Sequence, residues 1–255
     1  MEYPVKIVPN PRPLFYFKKR GLTYYHNILE VADTNVHEQI TNVLNKMYPD
    51  HAIRILDIAS GKGALALRIK DSRDKKFNDD IVTVDIIEPD EPLKFTYWQI
   101  DLNNDVQFEE LVNEYRGYFD VILGIETIEH LENPKMYLYY LKEMLNDNGH
   151  IFISTPSITN PMSRRMFYKK GRLEQFSEQD LQYGHISVIL PHLLEKMASD
   201  LKLKLMIEYP LGLYPKFWLY PNKRSLYITL CNLRMLRVRG SWCRLYIFKK
   251  DGVDE

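Results

Sequence analysis

Apolar residues change period several times along the first two thirds of the chain, and each change marks an element. Val36, Ile40, Val43, Leu44 and Met47 recur at helical spacing behind the capping pair Asp33 and Thr34, which predicts an amphipathic helix over residues 34–48. "AIRILDIA" then alternates as a strand, "ALALRIK" returns to helical character, and "DIVTVDII" (80–87) reads as a second strand rich in β-branched residues. "TYWQIDL" (96–102), "YFDVILGI" (118–125) and "HIFIST" (150–155) supply a third, fourth and fifth. Between the last two, "NPKMYLYYLKEMLNDNG" carries Asn133 as a cap, Pro134 at the first helical position and Asn148-Gly149 as a stop.

After Pro156 the periodicity fades. "LPHLLEKMASD" is a further helix, with His192 as a structural residue in its apolar pattern, and "LKLKLMIEY" and "SWCRLYIFKK" are a sixth and a seventh strand. Strands alternating with helices predict an α/β fold: one domain over 1–255, built on a mostly parallel seven-stranded sheet with helices on both faces. Residues 34–156 would form its ligand-binding core. The irregular segments 1–33, 157–184 and 210–240 are then a lid and two caps over one end of the sheet.

Composition narrows the setting. The chain has 255 residues, 45% hydrophobic and 27% charged, as a globular protein has. No run approaches the roughly 18 apolar residues of a membrane span, and the first residues lack the basic-then-apolar order of a secretory signal, which places the protein in the cytoplasm. Cys231 and Cys243 have neither CxxC spacing nor a third partner, so they are read as ordinary thiols. Formal net charge is zero, yet Gly212 to Lys250 holds nine basic residues and no acidic one, interleaved with Phe217, Trp218, Tyr220, Tyr227 and Trp242. That stretch could meet the inner face of an anionic membrane, an anionic substrate or nucleic acid, or be a solvated face with snorkelling arginines.

The chemistry starts at "ILDIASGKG". Gly61 and Gly63 remove side chains where backbone has to approach a ligand, beyond the carboxyl end of the first strand. "GKGALA" alone also fits a dinucleotide fingerprint. Asp57, four residues before Gly61, argues otherwise, because a carboxylate there repels a pyrophosphate and suits a cationic amino-acid group. Asp85 ends the second strand where it can accept ribose hydroxyls, and Asp101-Leu102 end the third where a carboxylate can accept an adenine amino proton. With "IETIEHLENP" and "NDNGHIFISTP" after them, residues 52–156 resemble the class I S-adenosylmethionine-dependent methyltransferases, a Rossmann-like fold. The resemblance implies that Asp57, Ala59, Gly61 and Gly63 cradle the methionine part of S-adenosylmethionine. It implies Asp85 at the ribose, with Glu88 as a competitor, and Asp101 and Leu102 about the adenine. Tyr24, Tyr25 and His26 would belong to a lid.

Methyl transfer from a sulfonium needs alignment, desolvation and, for a hydroxyl acceptor, removal of a proton. Glu126, Glu129 and His130 stand in E-x-x-E-H order past the fourth strand, and on a helix these positions share a face. With His185 of "YGHIS", they form an N/O set suited to Mg²⁺ or Mn²⁺. Without a metal, His130 is a base or a helix cap. The pattern resembles that of small-RNA 2′-O-methyltransferases and of the polyprenyl-catechol O-methyltransferases of ubiquinone synthesis, where an ion holds adjacent acceptor oxygens. The segment 156–186 is similar to methyltransferases of surface-polysaccharide synthesis, and it carries Arg164, Arg165, Lys169, Lys170 and Arg172 beside Phe167 and Tyr168. The reading placed first is therefore O-methylation of a sugar or lipid-linked glycan, with Glu129 and His130 catalytic. A quinone or other small aromatic acceptor comes next, and RNA is less favoured because the sequence pI is near 7.1. A nicotinamide oxidoreductase and a non-catalytic cofactor-binding subunit are the readings from other classes.

Overall fold

The structure, a computed structural model, describes residues 6–7, 23–32, 35–73, 76–89, 95–212 and 241–252. Its strands are β1 (Lys6–Ile7), β2 (Thr23–Tyr25), β3 (Ile28–Glu30), β4 (Arg54–Ile58), β5 (Asp80–Asp85), β6 (Thr96–Gln99), β7 (Phe119–Ile125), β8 (Leu145–Pro156), β9 (Leu203–Leu211) and β10 (Cys243–Lys250). The helices are α1 (Val36–Met47), α2 (Ala64–Arg73), α3 (Asp105–Glu114), α4 (Pro134–Met144), α5 (Pro161–Lys170), α6 (Glu178–Gln182) and α7 (Pro191–Asp200). A single 3-10 turn spans Ile128–His130.

The seven expected strands form one sheet in the order β9-β10-β8-β7-β4-β5-β6, and the two-residue β1 extends it along β9. All pairs are parallel except those made by β10, which runs antiparallel between β8 and β9. The parallel strands are buried on both faces, so side-chain alternation divides the core in two. Leu56, Ile122, Ile153 and Phe248 meet α3, α4 and α7 on one face. Ile55, Leu123, Phe152 and Ile247 meet α1 and α2 on the other.

Several boundaries differ from the sequence expectation. The pair Asp33-Thr34 lies outside the described residues, and α1 begins after Asn35, which sits in the left-handed region at φ 68°. Asn133 caps α4 as expected, its Oδ1 accepting from the Met136 N–H at 3.1 Å, but the helix stops at Met144 rather than Asn148-Gly149. Strand pairing takes over there, because Leu145 already pairs with Phe119. Gly149 then lets β8 run close to β7, since a Cβ at Gly149 would lie 2.9 Å from the Asp120 carbonyl oxygen. The second and third strands end at Asp85 and Gln99, ahead of the turns that carry the candidate ligands. The segment 157–184, expected to be irregular, holds α5 and α6, with Asn160 capping α5 through Ser163 N–H at 2.8 Å.

The basic C-terminal stretch is only partly a surface. Residues 213–240 lie outside the described residues, while Trp242 is buried just ahead of β10 and Cys243 and Arg244 are buried in the sheet. Arg244 pairs with Glu208 and donates to Ser157 Oγ, and Lys250 pairs with Asp147 at 3.1 Å. His192 is exposed, so it is not part of the core. Among the described residues, no helix is long and apolar enough to cross a membrane.

Candidate active site

Everything chemically distinctive gathers at the carboxyl ends of β4, β5 and β7. Asp57 is 2% exposed, accepts from the Ala66 N–H in the first turn of α2, and leaves Oδ2 without a partner. Burial and the nearby Asp85 push its carboxyl up to about 7. The loop that follows turns sharply: Ala59, Gly61 and Gly63 have φ of 57°, 57° and 82°. Ala59 thus occupies a left-handed position that costs an alanine about 1 kcal/mol or more. Val31, at the end of the β2–β3 hairpin, lies over the loop, 3.6 Å from where a Cβ on Gly61 would stand. The unpartnered carboxylate oxygen and the glycine cradle fit the ammonium and backbone-approaching methionine end of S-adenosylmethionine.

Asp85 braces this loop from the end of β5. Its Oδ2 accepts from Gly61 N–H at 2.6 Å and its Oδ1 from Ile87 N–H at 2.8 Å, which leaves lone pairs over for ribose hydroxyls. Tyr97 O–H, on β6, donates to the carbonyls of Asp85 and Ile87 and holds that turn. Ile86 and Ile87 are exposed beside it and offer the apolar surface an adenine needs, a feature hidden in a run that reads as strand. Glu88 is exposed. Asp101 is exposed too, with Oδ1 taken by Asn103 N–H at 2.9 Å, and Leu102 packs against the core.

Tyr24, Tyr25 and His26, expected in a lid, lie on the β2–β3 hairpin. Tyr24 is exposed, whereas Tyr25 O–H donates to Asp71 on α2 at 2.9 Å and His26 Nε2 lies 3.0 Å from the same carboxylate. Inside the hairpin, Glu30 accepts from Arg68 Nε and Nη2 at 3.1 and 2.5 Å and faces His37 at 3.7 Å. Burial depresses His37 to about 4, so it is neutral beside that ion pair.

The E-x-x-E-H residues do not share a helical face. Glu126 sits in the left-handed region at φ 51°, and only one 3-10 turn follows it. Its carboxylate accepts from Ser154 Oγ at 2.6 Å and from Cys243 Sγ at 3.0 Å. Ser154 and Thr155 alternate on β8, so Glu126 turns to the Ser154 face while Glu129 lies with Thr155 on the α4 face. Glu126 is therefore not brought to the metal-ligand group expected for it. Glu129, His130 and His185 are: one ligand atom from each lies within 4.8 Å of the others.

Glu129 is fully buried with both carboxylate oxygens unpartnered, and burial and the Glu126 charge push its carboxyl well above the usual range. His130 and His185 meet edge to face at 4.7 Å. His185 Nδ1 donates to the Gln175 carbonyl at 2.6 Å, which fixes the tautomer and leaves Nε2 as an acceptor. This is the support a ligating histidine commonly has. Burial and the neighbouring His185 lower the pKa of His130, while the carbonyls of Tyr183 and Gly184 oppose that. The Glu129 carbonyl accepts from Ile186 and Ser187 N–H at 3.0 and 2.9 Å, stapling the His185 loop to the turn. Gly184, at φ 88°, keeps space for the His130 ring, since a Cβ would stand 3.2 Å from Nδ1. These donors fit a divalent ion. Gly184 was visible in "YGHIS"; the Gln175 carbonyl had no sequence signal.

Comparison with known proteins agrees with this fold. The family described as "Methyltransferase domain" matches residues 32–206. Ubiquinone biosynthesis O-methyltransferase of Rattus norvegicus is 27% identical over 175 residues, 65% of this chain and 45% of the rat protein. The chain spans less than half the length of the curated relatives it matches. Among solved structures, a SAM-dependent methyltransferase from Archaeoglobus fulgidus superposes with a TM-score of 0.55 at 18% identity, covering 84% of this chain and 94% of the other. The 1,6-didemethyltoxoflavin-N1-methyltransferase of Burkholderia thailandensis, with S-adenosylhomocysteine bound, gives 0.53 at 12%, covering 84% and 78%. With the β4 glycine cradle, the buried Asp57 and the sheet order all in place, the chain belongs to the class I S-adenosylmethionine-dependent methyltransferases.

Proposed function

We propose that this methyltransferase acts on a hydroxyl beside a second oxygen, as in a catechol or vicinal diol, with Glu129, His130 and His185 on the acceptor side. The observation that carries the reading is the convergence of these three groups, with His185 held by the Gln175 carbonyl. Asp57 and the glycine cradle hold the methyl donor, whose sulfonium supplies an already activated methyl group. The acceptor oxygen has to lie in line with that methyl and lose its proton. His130, kept neutral by burial, is the group that can take the proton. If instead Glu129, His130 and His185 hold Mg²⁺ or Mn²⁺, His130 is taken up as a ligand, and the ion would supply acceptor orientation and a lower acceptor pKa.

The names of the curated relatives support an aromatic hydroxyl of the ubiquinone-precursor kind ahead of the sugar or glycan hydroxyl that the sequence reading put first. Presentation at a membrane is supported by α5, which exposes Phe167 and Tyr168 (60% and 91%) among the exposed Arg164, Lys169 and Lys170.

The test is transfer of labelled methyl from S-adenosylmethionine to 3,4-dihydroxybenzoate, to a saccharide fraction and to RNA, with EDTA and with Mn²⁺ added back. Labelled catechol, lost with EDTA and restored by Mn²⁺, supports the ion-assisted reading. Labelled catechol indifferent to EDTA leaves His130 as an unaided base. Label only in saccharide or RNA overturns the aromatic acceptor.

A further inference from the structure

Tyr137, on α4, is 2% exposed, and its hydroxyl has no hydrogen-bond partner. A phenol is an odd choice for that spot. Burying an unpartnered hydroxyl is unfavourable, and phenylalanine would fill the same apolar space beside Phe108, whose ring lies 6.2 Å away, without that cost. The backbone also makes room for the oxygen. Gly124 sits mid-sheet in β7, between Ile58 and Ile153, and a Cβ there would collide with the Tyr137 hydroxyl. Glycine weakens a central strand, so the pair Gly124 and Tyr137 sustains two local costs at one point.

That point lies under the active site. Helix α4 packs on the 3-10 turn that carries Glu129, with Ile128 and Tyr137 in one core cluster, and of the charged groups around the phenol Glu129 raises its pKa most after burial itself, with Asp57 a lesser contributor from the opposite sheet face. The Thr127 side chain lies close enough for a weak contact with the hydroxyl but not for a well-formed hydrogen bond, and its own O–H donates to the Ile125 carbonyl at 3.2 Å. Glu129 presents a buried carboxyl with neither oxygen in a well-formed hydrogen bond, and Tyr137 a buried hydroxyl in the same state.

We propose that Tyr137 is a positioning residue for Glu129: its hydroxyl, seated against Gly124, is the donor that holds the Glu129 carboxylate toward His130 and His185 when the acceptor side is loaded. The inference rests on the reading of Glu129 as an acceptor-side group. It explains why a central strand carries glycine and why α4 carries a phenol there.

The test compares Tyr137→Phe, Glu129→Gln and the unaltered protein in thermal melting, Mn²⁺ calorimetry in the presence of S-adenosylhomocysteine, and turnover at saturating cofactor. Tyr137→Phe is expected to melt at the same temperature or higher, because the unpartnered hydroxyl is gone. It should bind Mn²⁺ about tenfold more weakly and lose about tenfold in kcat with the KM for S-adenosylmethionine unchanged. A lower melting temperature with Mn²⁺ affinity and kcat unchanged makes Tyr137 a structural residue and overturns the proposal. If the unaltered protein binds no Mn²⁺, the kcat comparison decides alone. Full turnover in Glu129→Gln removes the underlying reading of Glu129. Loss of turnover in Glu129→Gln with full turnover in Tyr137→Phe removes only the role given to Tyr137.

Discussion

Single residues carry the sharpest tests. Asp57 holds its proton to about pH 7 in the free protein against an ordinary value of 3.8. Between those values the folded state binds the extra proton, so ionisation there opposes folding, and stability present at low pH is lost as pH rises through 7. A cationic ligand group favours the carboxylate. Cofactor binding should therefore release a proton below pH 7, with affinity rising up to that pH and levelling above it; calorimetry in buffers of different ionisation heat reads both. Asp57→Asn should flatten the dependence. Ala59 stands in a backbone region that glycine occupies freely, and Ala59→Gly should stabilise by about 0.5–1 kcal/mol, seen as a raised melting temperature. The two glutamates of the motif should separate: Glu126→Gln spares turnover in large part, because Glu126 is bound to Ser154 and Cys243, whereas Glu129→Gln abolishes it. Both glutamates were legible as candidates. Their facing apart was not, because it depends on a left-handed φ at Glu126 that no spacing rule encodes.

At the scale of elements, strands and helices with long apolar runs were legible, since period follows from backbone geometry. Boundaries set by a neighbour were not. The early end of α4 comes from pairing of Leu145 with Phe119, and α5 and α6 form despite weak periodicity, each with a side-chain cap at its start. The hairpin β2–β3 is the element whose role is most testable. It is tied to α2 through Glu30 and Arg68, and Val31 reaches the glycine loop. Arg68→Ala would leave Glu30 buried without its cation, at a cost on the order of 2–4 kcal/mol. The same variant should weaken S-adenosylhomocysteine binding as Val31 leaves Gly61. A lower melting temperature with unchanged ligand affinity would make the hairpin a scaffold and not a lid.

At the scale of the molecule, one sheet end collects residues from positions 31 to 185, and α5 carries an aromatic, cationic surface. If that surface meets lipid, the protein should sediment with phosphatidylglycerol vesicles at low salt and not with phosphatidylcholine. Replacing Phe167 and Tyr168 by Ser should abolish sedimentation while leaving transfer to a water-soluble catechol intact. Failure of the unaltered protein to sediment removes the membrane contact.

The succession of strands and helices along the chain, the glycine loop with Asp57, and the methyltransferase family were determined by the sequence alone, because they are written in local period and in short motifs whose spacing the backbone enforces. Which side chains meet was decided by tertiary structure. Alternation along β8 sends Glu126 and Glu129 to opposite faces of the sheet. A carbonyl at Gln175 orients a histidine ten residues away, and Gly124 opens room for a phenol on another element. Such contacts arise from packing of surfaces distant in sequence, and a one-dimensional pattern holds no record of them.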